Sequence, residues 1–222
     1  MMFFVSGPIG NLKDITLRAI DILSSVDYIV CEDTRRTSKL LKAFDIKKSL
    51  VSYNEYNENK RIPEILKDLK DGKNIAFITD SGTPIIQDPG LKLVKSLIKE
   101  NIPFTSIPGP SSITNAIVLS GIDCRNFIFY GFIGKKKSER KSFFESIKKE
   151  KRAVIFFESP YRIKDTIEIM KDVIPERNIA VLREMTKVFE ERISGKPEDV
   201  LRMMKKIKGE FVVVVEGFNE PR

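Results

Sequence analysis

The residues able to do chemistry in this 222-residue chain gather in four short stretches, 6–11, 32–37, 79–90 and 108–112. The richest is 79–90. There Gly82 and Gly90 let a ligand approach bare backbone, Pro84 and Pro89 stiffen the chain, and Asp80, Thr83 and Asp88 supply polar groups. Such a stretch is either a ligand loop or an ordinary turn between strand and helix. In the second stretch, Glu32-Asp33-Thr34-Arg35-Arg36 sets two carboxylates beside two guanidinium groups. Arg35 and Arg36 suit a bidentate grip on a phosphate, or a local ion-pair network at a loop end. Glu32, Asp33, Asp80 and Asp88 are the donor type that binds Mg²⁺. Nothing else in the chain points to phosphoryl transfer, and no metal is expected.

The chain has no His, so proton transfer near neutral pH falls to carboxylates, Lys, Tyr or water. With Cys31 and Cys124 as the sole cysteines, a Cys/His zinc site, a Cys–His pair and a Ser–His–Asp triad are all excluded within one chain. The glycine fingerprint of dinucleotide folds, the phosphate-binding P-loop and the hydrolase nucleophile elbow are absent too.

Charge supplies the next signal. The formal net charge is +8 and the isoelectric point is near 9.3. Residues 135–152 carry nine Lys or Arg against three Glu, most of that excess. The segment is either a contact for a polyanion or a solvated, lysine-rich helix face.

The elements that must position these groups follow from apolar periodicity. Residues 74–78 read as a buried strand and 91–99 as an amphipathic helix, so 79–90 joins strand to helix. Strands are also expected at 3–6, 28–31, 50–53 and 103–107, with helices from an Asp14 cap to about 24, at 38–44 and at 62–69. Short apolar strands alternating with helices predict a mostly parallel sheet covered by helices. All four loaded stretches follow strands, so they gather at the carboxyl edge, where α/β proteins bind ligands. A helix at 113–119 marks the boundary between an N-terminal α/β domain, 1–112, and a C-terminal α+β domain, 113–222. Strands in the second half are expected at 127–132, 154–157, 179–183, 188–193 and 211–215, the last one central, with helices at 163–174 and 200–207. The short connection 184–187 predicts an antiparallel pair and hence a mixed sheet. Two unpaired thiols, an N-terminus without a basic start, and no apolar run near the roughly 20 residues of a membrane span predict a cytoplasmic protein without membrane contact.

Taken together, the loaded stretches resemble the ribosomal-RNA-modifying branch of the tetrapyrrole methylase superfamily, in order and spacing and over nearly the whole chain. The residues carrying the resemblance are Ser6-Gly7-Pro8-Ile9-Gly10-Asn11, Glu32-Asp33-Thr34-Arg35, Ser81-Gly82-Thr83-Pro84 with Asp88-Pro89-Gly90, and Pro108-Gly109-Pro110-Ser111-Ser112. Phe156-Phe157-Glu158-Ser159, Arg183-Glu184-Met185-Thr186-Lys187 and Gly209-Glu210-Phe211 with the four Val after it complete the pattern. The porphyrin-modifying branch usually has Gly-Asp-Pro where this chain has Gly82-Thr83-Pro84. The resemblance implies two α/β domains with S-adenosylmethionine in the cleft between them, a homodimer, and methyl transfer to the ribose 2′-oxygen of a cytidine in 16S rRNA of the small ribosomal subunit, with no role for DNA. It implies cofactor contacts from Pro8, Ser81, Gly82, Thr83, Ile86, Ser111, Ser112, Glu158 and Met185. A ribose hydroxyl is a weak nucleophile, so a base or orienting group is expected among Asp33, Asp80, Glu184 and Lys187, either a desolvated carboxylate or a Lys187 of depressed pKa. Arg35, Arg36, Lys135, Lys136, Lys137, Arg140 and Lys141 would then contact RNA phosphates.

Two departures stand out. Many members continue for several dozen residues beyond the last strand, whereas this chain ends at Arg222, the pattern of a short form. Members often carry His where Tyr53, Tyr56 and Tyr161 stand. Two other readings of the same residues are a methyltransferase of the same fold acting on a tetrapyrrole or another small molecule, and a non-catalytic RNA-binding factor.

Overall fold

Strands that alternate their side chains between two apolar layers organise the first half of the chain. The computed structural model describes residues 1–219 and divides into two units, Met1–Ser111 and Ser112–Arg222. In the first unit the strands are β1 (Met2–Val5), β2 (Tyr28–Cys31), β3 (Leu50–Ser52), β4 (Ile75–Ile78) and β5 (Phe104–Ile107). They pair in the order β3-β2-β4-β1-β5, every pair parallel, as the alternation of strand and helix predicts. Successive residues point to opposite faces. Val5, Ile29 and Ile78 join one core with Ala19, Leu23 and Leu41, while Phe4, Val30 and Phe77 join the other with Ile65, Leu93 and Leu97. Helices α1 (Leu17–Ser25) and α2 (Thr34–Ala43) therefore cover one face, and α3 (Glu58–Lys70) and α4 (Leu91–Lys99) the other.

Two helix starts differ from expectation, both through capping. Asp14 sits in a single 3₁₀ turn, Leu12–Asp14, and Thr16 caps α1 by accepting the Ala19 N–H at 3.1 Å. Helix α2 begins at Thr34 rather than 38, because the Asp33 carboxylate accepts the Arg35 N–H at 2.8 Å. The first turn of α2 is polar, so apolar periodicity gives no sign of it.

The second unit holds β6 (Phe127–Phe132), β7 (Ala153–Glu158), β8 (Ile179–Arg183), β9 (Glu191–Gly195) and β10 (Phe211–Val215), ordered β6-β7-β10-β8-β9. Strands β6 and β7 are parallel and the other pairs antiparallel, which makes the sheet mixed with β10 at its centre. Helices α6 (Lys137–Ser146), α7 (Ile163–Val173) and α8 (Pro197–Met203) pack on one face through Phe144, Ile167, Met170 and Val200. Helix α5 (Ser112–Ser120) covers the other through Ile113 and Ala116.

The expected strand at 188–193 is displaced to Glu191–Gly195, and the connection from β8 is longer than foreseen. Glu184 and Thr186 adopt φ of 51° and 65°, and the Glu190 carboxylate accepts the Thr186 N–H, so the chain loops before it can pair. Val188 is 93 % exposed as a result. The helix expected at 200–207 instead starts at Pro197, with Glu198 and Asp199 in its first turn. Among the described residues, no helix is long and apolar enough to cross a membrane.

Candidate active site

The four loaded stretches leave β1, β2, β4 and β5 at the carboxyl edge of the first unit's parallel sheet. Their backbones lock onto each other. The Gly7 N–H donates to the Gly82 carbonyl at 2.9 Å, and the Ser6 hydroxyl donates to the Thr83 hydroxyl at 3.3 Å. The Asp33 N–H donates to Asp80 Oδ1 at 3.1 Å, and Arg36 Nε lies 3.4 Å from Asp80 Oδ2. At Gly109 a side chain has no room, because a Cβ there would sit 3.0 Å from the Ser6 Cβ and 3.2 Å from its carbonyl oxygen. Within 79–90 the chain takes positive φ at Gly82, Ile85, Gln87 and Gly90. A β-branched residue such as Ile85 at φ 78° costs about 1–3 kcal/mol and persists where the surroundings impose it, as they do at binding loops.

Electrostatics separates the candidate bases. Burial raises the Asp80 carboxyl above its ordinary pKa, outweighing the pull of Arg36 and of the Asp33 N–H. Burial also raises Glu32, with the Asp80 charge adding to it. Asp88 is pushed up to about 7 by burial and then by Glu32 and Asp80, against a smaller opposing effect of Thr79. Asp33 goes the other way. Its carboxylate takes the Arg35 side chain and backbone N–H groups, which hold it down at about 2. Expected among the bases, Asp33 is instead a helix cap with little affinity for a proton. Glu32 and Asp88, foreseen as metal-type donors, are the groups that sequence reasoning left out as bases. Their position on two of the loaded loops was the available signal. Among the described residues, no group of three or more His, Cys, Asp or Glu has the arrangement to hold a metal ion.

Asp88 yields a test. Its folded pKa lies above the ordinary 3.8, so the proton it retains stabilises the fold fully below about pH 4 and ceases to do so as pH rises through about 7. Asp88→Asn is therefore expected to flatten the fall in thermal stability between pH 5 and 8. It should gain about 1–2 kcal/mol at pH 8, a figure already discounted for solvent access. An unchanged pH slope in the variant's melting curves would remove Asp88 from the cluster.

The expected cofactor contacts of the first unit lie on these loops. Pro8, Ser81 and Thr83 are half-buried, Gly82 is buried and Ile86 is exposed; Ser111 ends the unit. Ser112 opens α5 in the second unit. There Met185 is buried in the core beneath β8 and β10. Glu158 is corrected: its side chain is fully enclosed, accepting from the Ser159 N–H at 2.7 Å, Arg162 Nε at 2.9 Å and the Thr166 hydroxyl at 2.7 Å. The carboxylate is committed to its own loop and has no face open to a cofactor.

Lys187 and Glu184 are corrected as well. Burial depresses Lys187, but bonds to Glu210 at 2.9 Å and Glu184 at 3.0 Å outweigh it and leave the pKa raised. Burial raises Glu184, yet the Glu210 N–H and Lys187 outweigh that and hold it ionised. The pair is a structural clasp rather than a base. Arg140 is 2 % exposed and donates to the Lys135 carbonyl at 2.7 Å, which takes it off the basic face. Lys135, Lys136, Lys137 and Lys141 are exposed, as are Arg35, bound to Asp33, and Arg36, bound to Asp80.

Comparison with known proteins agrees with this arrangement. The model of the family described as Tetrapyrrole (Corrin/Porphyrin) Methylases matches residues 1–201. A protein of Thermotoga maritima named ribosomal RNA small subunit methyltransferase I is 44% identical over 218 residues, 97% of this chain and 98% of that one. Its namesake in Bacillus subtilis is 43% identical over 221 residues, 99% of this chain and 76% of that one. Among solved structures, cobalt precorrin-4 methyltransferase matches with a TM-score of 0.69 at 15% identity, covering 97% of this chain and 94% of that chain. Uroporphyrin-III-C-methyltransferase from Thermus thermophilus matches at 0.65 and 18%, covering 97% and 93%. At such identities these two likenesses show the fold alone.

Proposed function

The chain belongs to the tetrapyrrole methylase family and, within it, to the group named ribosomal RNA small subunit methyltransferase I, and from that membership we propose that it transfers a methyl group from S-adenosylmethionine to the ribose 2′-oxygen of a cytidine in 16S rRNA. On this reading it works in the cytoplasm as a homodimer. The observation that carries the reading is the loop 79–90, strained, clasped to Gly7 and set beside carboxyls whose pKa values are raised.

The residues present fit the cofactor. S-adenosylmethionine carries cationic sulfonium and ammonium centres and one carboxylate. Asp80, Asp88 and Glu32 complement the cations, and the backbone of Ser81, Gly82 and Thr83 can lie against the methionine part, with Pro8 and Ile86 beside it. The first N–H groups of α5, at Ser112 after Ser111, suit a carboxylate. Met185 would serve the adenosine. The bound cofactor supplies an electrophilic methyl group.

The protein's own task is to orient the ribose hydroxyl, remove its proton and keep water away. Orientation supplies roughly 7–11 kcal/mol where reactants are held in line. The proton goes to a carboxylate whose pKa lies near the operating pH, which Asp88 satisfies and Asp80 approaches from below. The exposed Lys135, Lys136, Lys137 and Lys141 favour an RNA over a porphyrinoid.

The test is to incubate the protein with labelled S-adenosylmethionine and 30S subunits lacking the modification, then map the label. Methylation of one cytidine 2′-oxygen is expected. Cofactor binding without transfer to RNA would redirect the reading to a small-molecule substrate, and no cofactor binding would leave an RNA-binding factor.

A further inference from the structure

At the loop edge of the second unit, large side chains stand in solvent among lysines. Strands β7 and β8 run the same way on either side of the antiparallel β10, so the loops 159–162, 184–190 and 204–210 leave one edge. Tyr161 is 93 % exposed on the first, Val188 93 % and Phe189 65 % on the second. The third carries Lys205, Lys206 and Lys208, all exposed. Among the described residues none of these three lysines is ion-paired, and Lys206 Nζ lies 5.8 Å from the centre of the Phe189 ring.

The loops are rigidly joined. The Glu184 N–H donates to the Glu210 carbonyl at 3.0 Å, and Lys187 bridges both their carboxylates. Arg183 Nη1 donates to the Lys208 carbonyl at 3.2 Å. At Gly209 a Cβ would fall 2.5 Å from the Glu184 side chain, so the two loops meet without space between them. Arg162 and the Ser159 N–H are held by Glu158, which fixes the turn bearing Tyr161.

We infer that this edge is a stacking platform for single-stranded RNA, in which Tyr161 and Phe189 take bases on their faces and Lys205, Lys206 and Lys208 take phosphates. Bases stack on aromatic faces whatever their sequence, and lysines spaced around those faces neutralise the backbone. An interface for a second copy of the chain calls for an apolar patch depleted in lysine, whereas these side chains are interleaved with it. Loops held in place beforehand lose little freedom on binding. The inference rests on the RNA reading above and names where on the second unit that RNA lies.

The test measures binding of a fluorescent single-stranded RNA of about ten nucleotides by anisotropy across a salt series, alongside methyl transfer to 30S subunits. Tyr161→Ala and Phe189→Ala are each expected to weaken RNA binding about tenfold with an unchanged salt slope, and Tyr161→Trp to restore it. The triple variant Lys205→Gln, Lys206→Gln, Lys208→Gln is expected to lower the salt slope by about 2. All these positions are exposed, so melting curves should match the wild type. Wild-type affinity in both alanine variants and in the lysine variant overturns the inference while leaving transfer to RNA intact. An unchanged affinity with a shift in sedimentation assigns the edge to a second copy of the chain. Absence of methyl transfer to RNA by the wild-type protein overturns the underlying reading itself.

Discussion

An Asp80→Ala protein is expected to fold normally and to lose methyl transfer by two to three orders of magnitude. Asp80 joins two loops: its carboxylate accepts the Asp33 N–H at 3.1 Å and meets Arg36 at 3.4 Å. Its pKa is raised all the same, so the fold holds this charge at a cost. A carboxylate kept against its own solvation beside a strained loop is placed there for function, and deleting it relieves rather than harms the fold. The activity loss follows from both of its tasks. Releasing the 32–37 loop moves groups by about an ångström, enough for roughly 100-fold, and removing a charged group near the reacting centre costs a similar factor. Asp80→Asn separates the two. The amide oxygen still accepts the Asp33 N–H, so recovery to within about tenfold of the wild type identifies a brace. A loss as deep as that of alanine identifies the charge. Transfer by Asp80→Ala within about fivefold of the wild type, with cofactor affinity unchanged, would remove Asp80 from the mechanism.

How much of this was legible in the sequence depends on the range over which each feature is decided. Strands such as Tyr28–Cys31, Phe127–Phe132 and Phe211–Val215 follow from their own apolar residues, and the structure has them at the expected positions. The four loaded loops were legible as sites because Gly, Pro and Asp directly after buried strands combine bare backbone, a stiff chain and charge, more than a plain turn needs. What a side chain does inside a loop was not legible, since that is settled by its partner. Asp33 and Asp80 are the same residue type on neighbouring loops, yet Arg35 holds one pKa down and burial lifts the other. Lys187 was expected with a depressed pKa, and two carboxylates 3.0 Å or less away reverse that. Arg140 sits in a basic run and reads as surface. The helical turn faces it inward, against carbonyls. Val188 and Phe189 read as strand by propensity, whereas positive φ at Glu184 and Thr186 carries them into solvent.

The largest stability effect is expected at Glu158. Its carboxylate is fully enclosed and takes three donors, the Ser159 N–H, the Arg162 guanidinium and the Thr166 hydroxyl. Glu158→Ala leaves a guanidinium and a buried hydroxyl without acceptors, and breaking a buried pair in this way costs about 3–5 kcal/mol. For a chain of this length that lowers the melting temperature by about 6–20 °C. The stability does not reside in the ion pair as such, because taking both charges from water offsets most of their attraction. Glu158→Leu combined with Arg162→Met is therefore expected to recover most of the loss, leaving the Thr166 hydroxyl and the Ser159 N–H as the residual cost of about 1–3 kcal/mol. The same variants separate structure from binding. If Glu158 acts only through its loop, the double variant keeps its affinity for S-adenosylmethionine while RNA binding falls as the turn bearing Tyr161 loosens. A Glu158→Ala protein melting within 2 °C of the wild type would show that the enclosed carboxylate does not hold this loop.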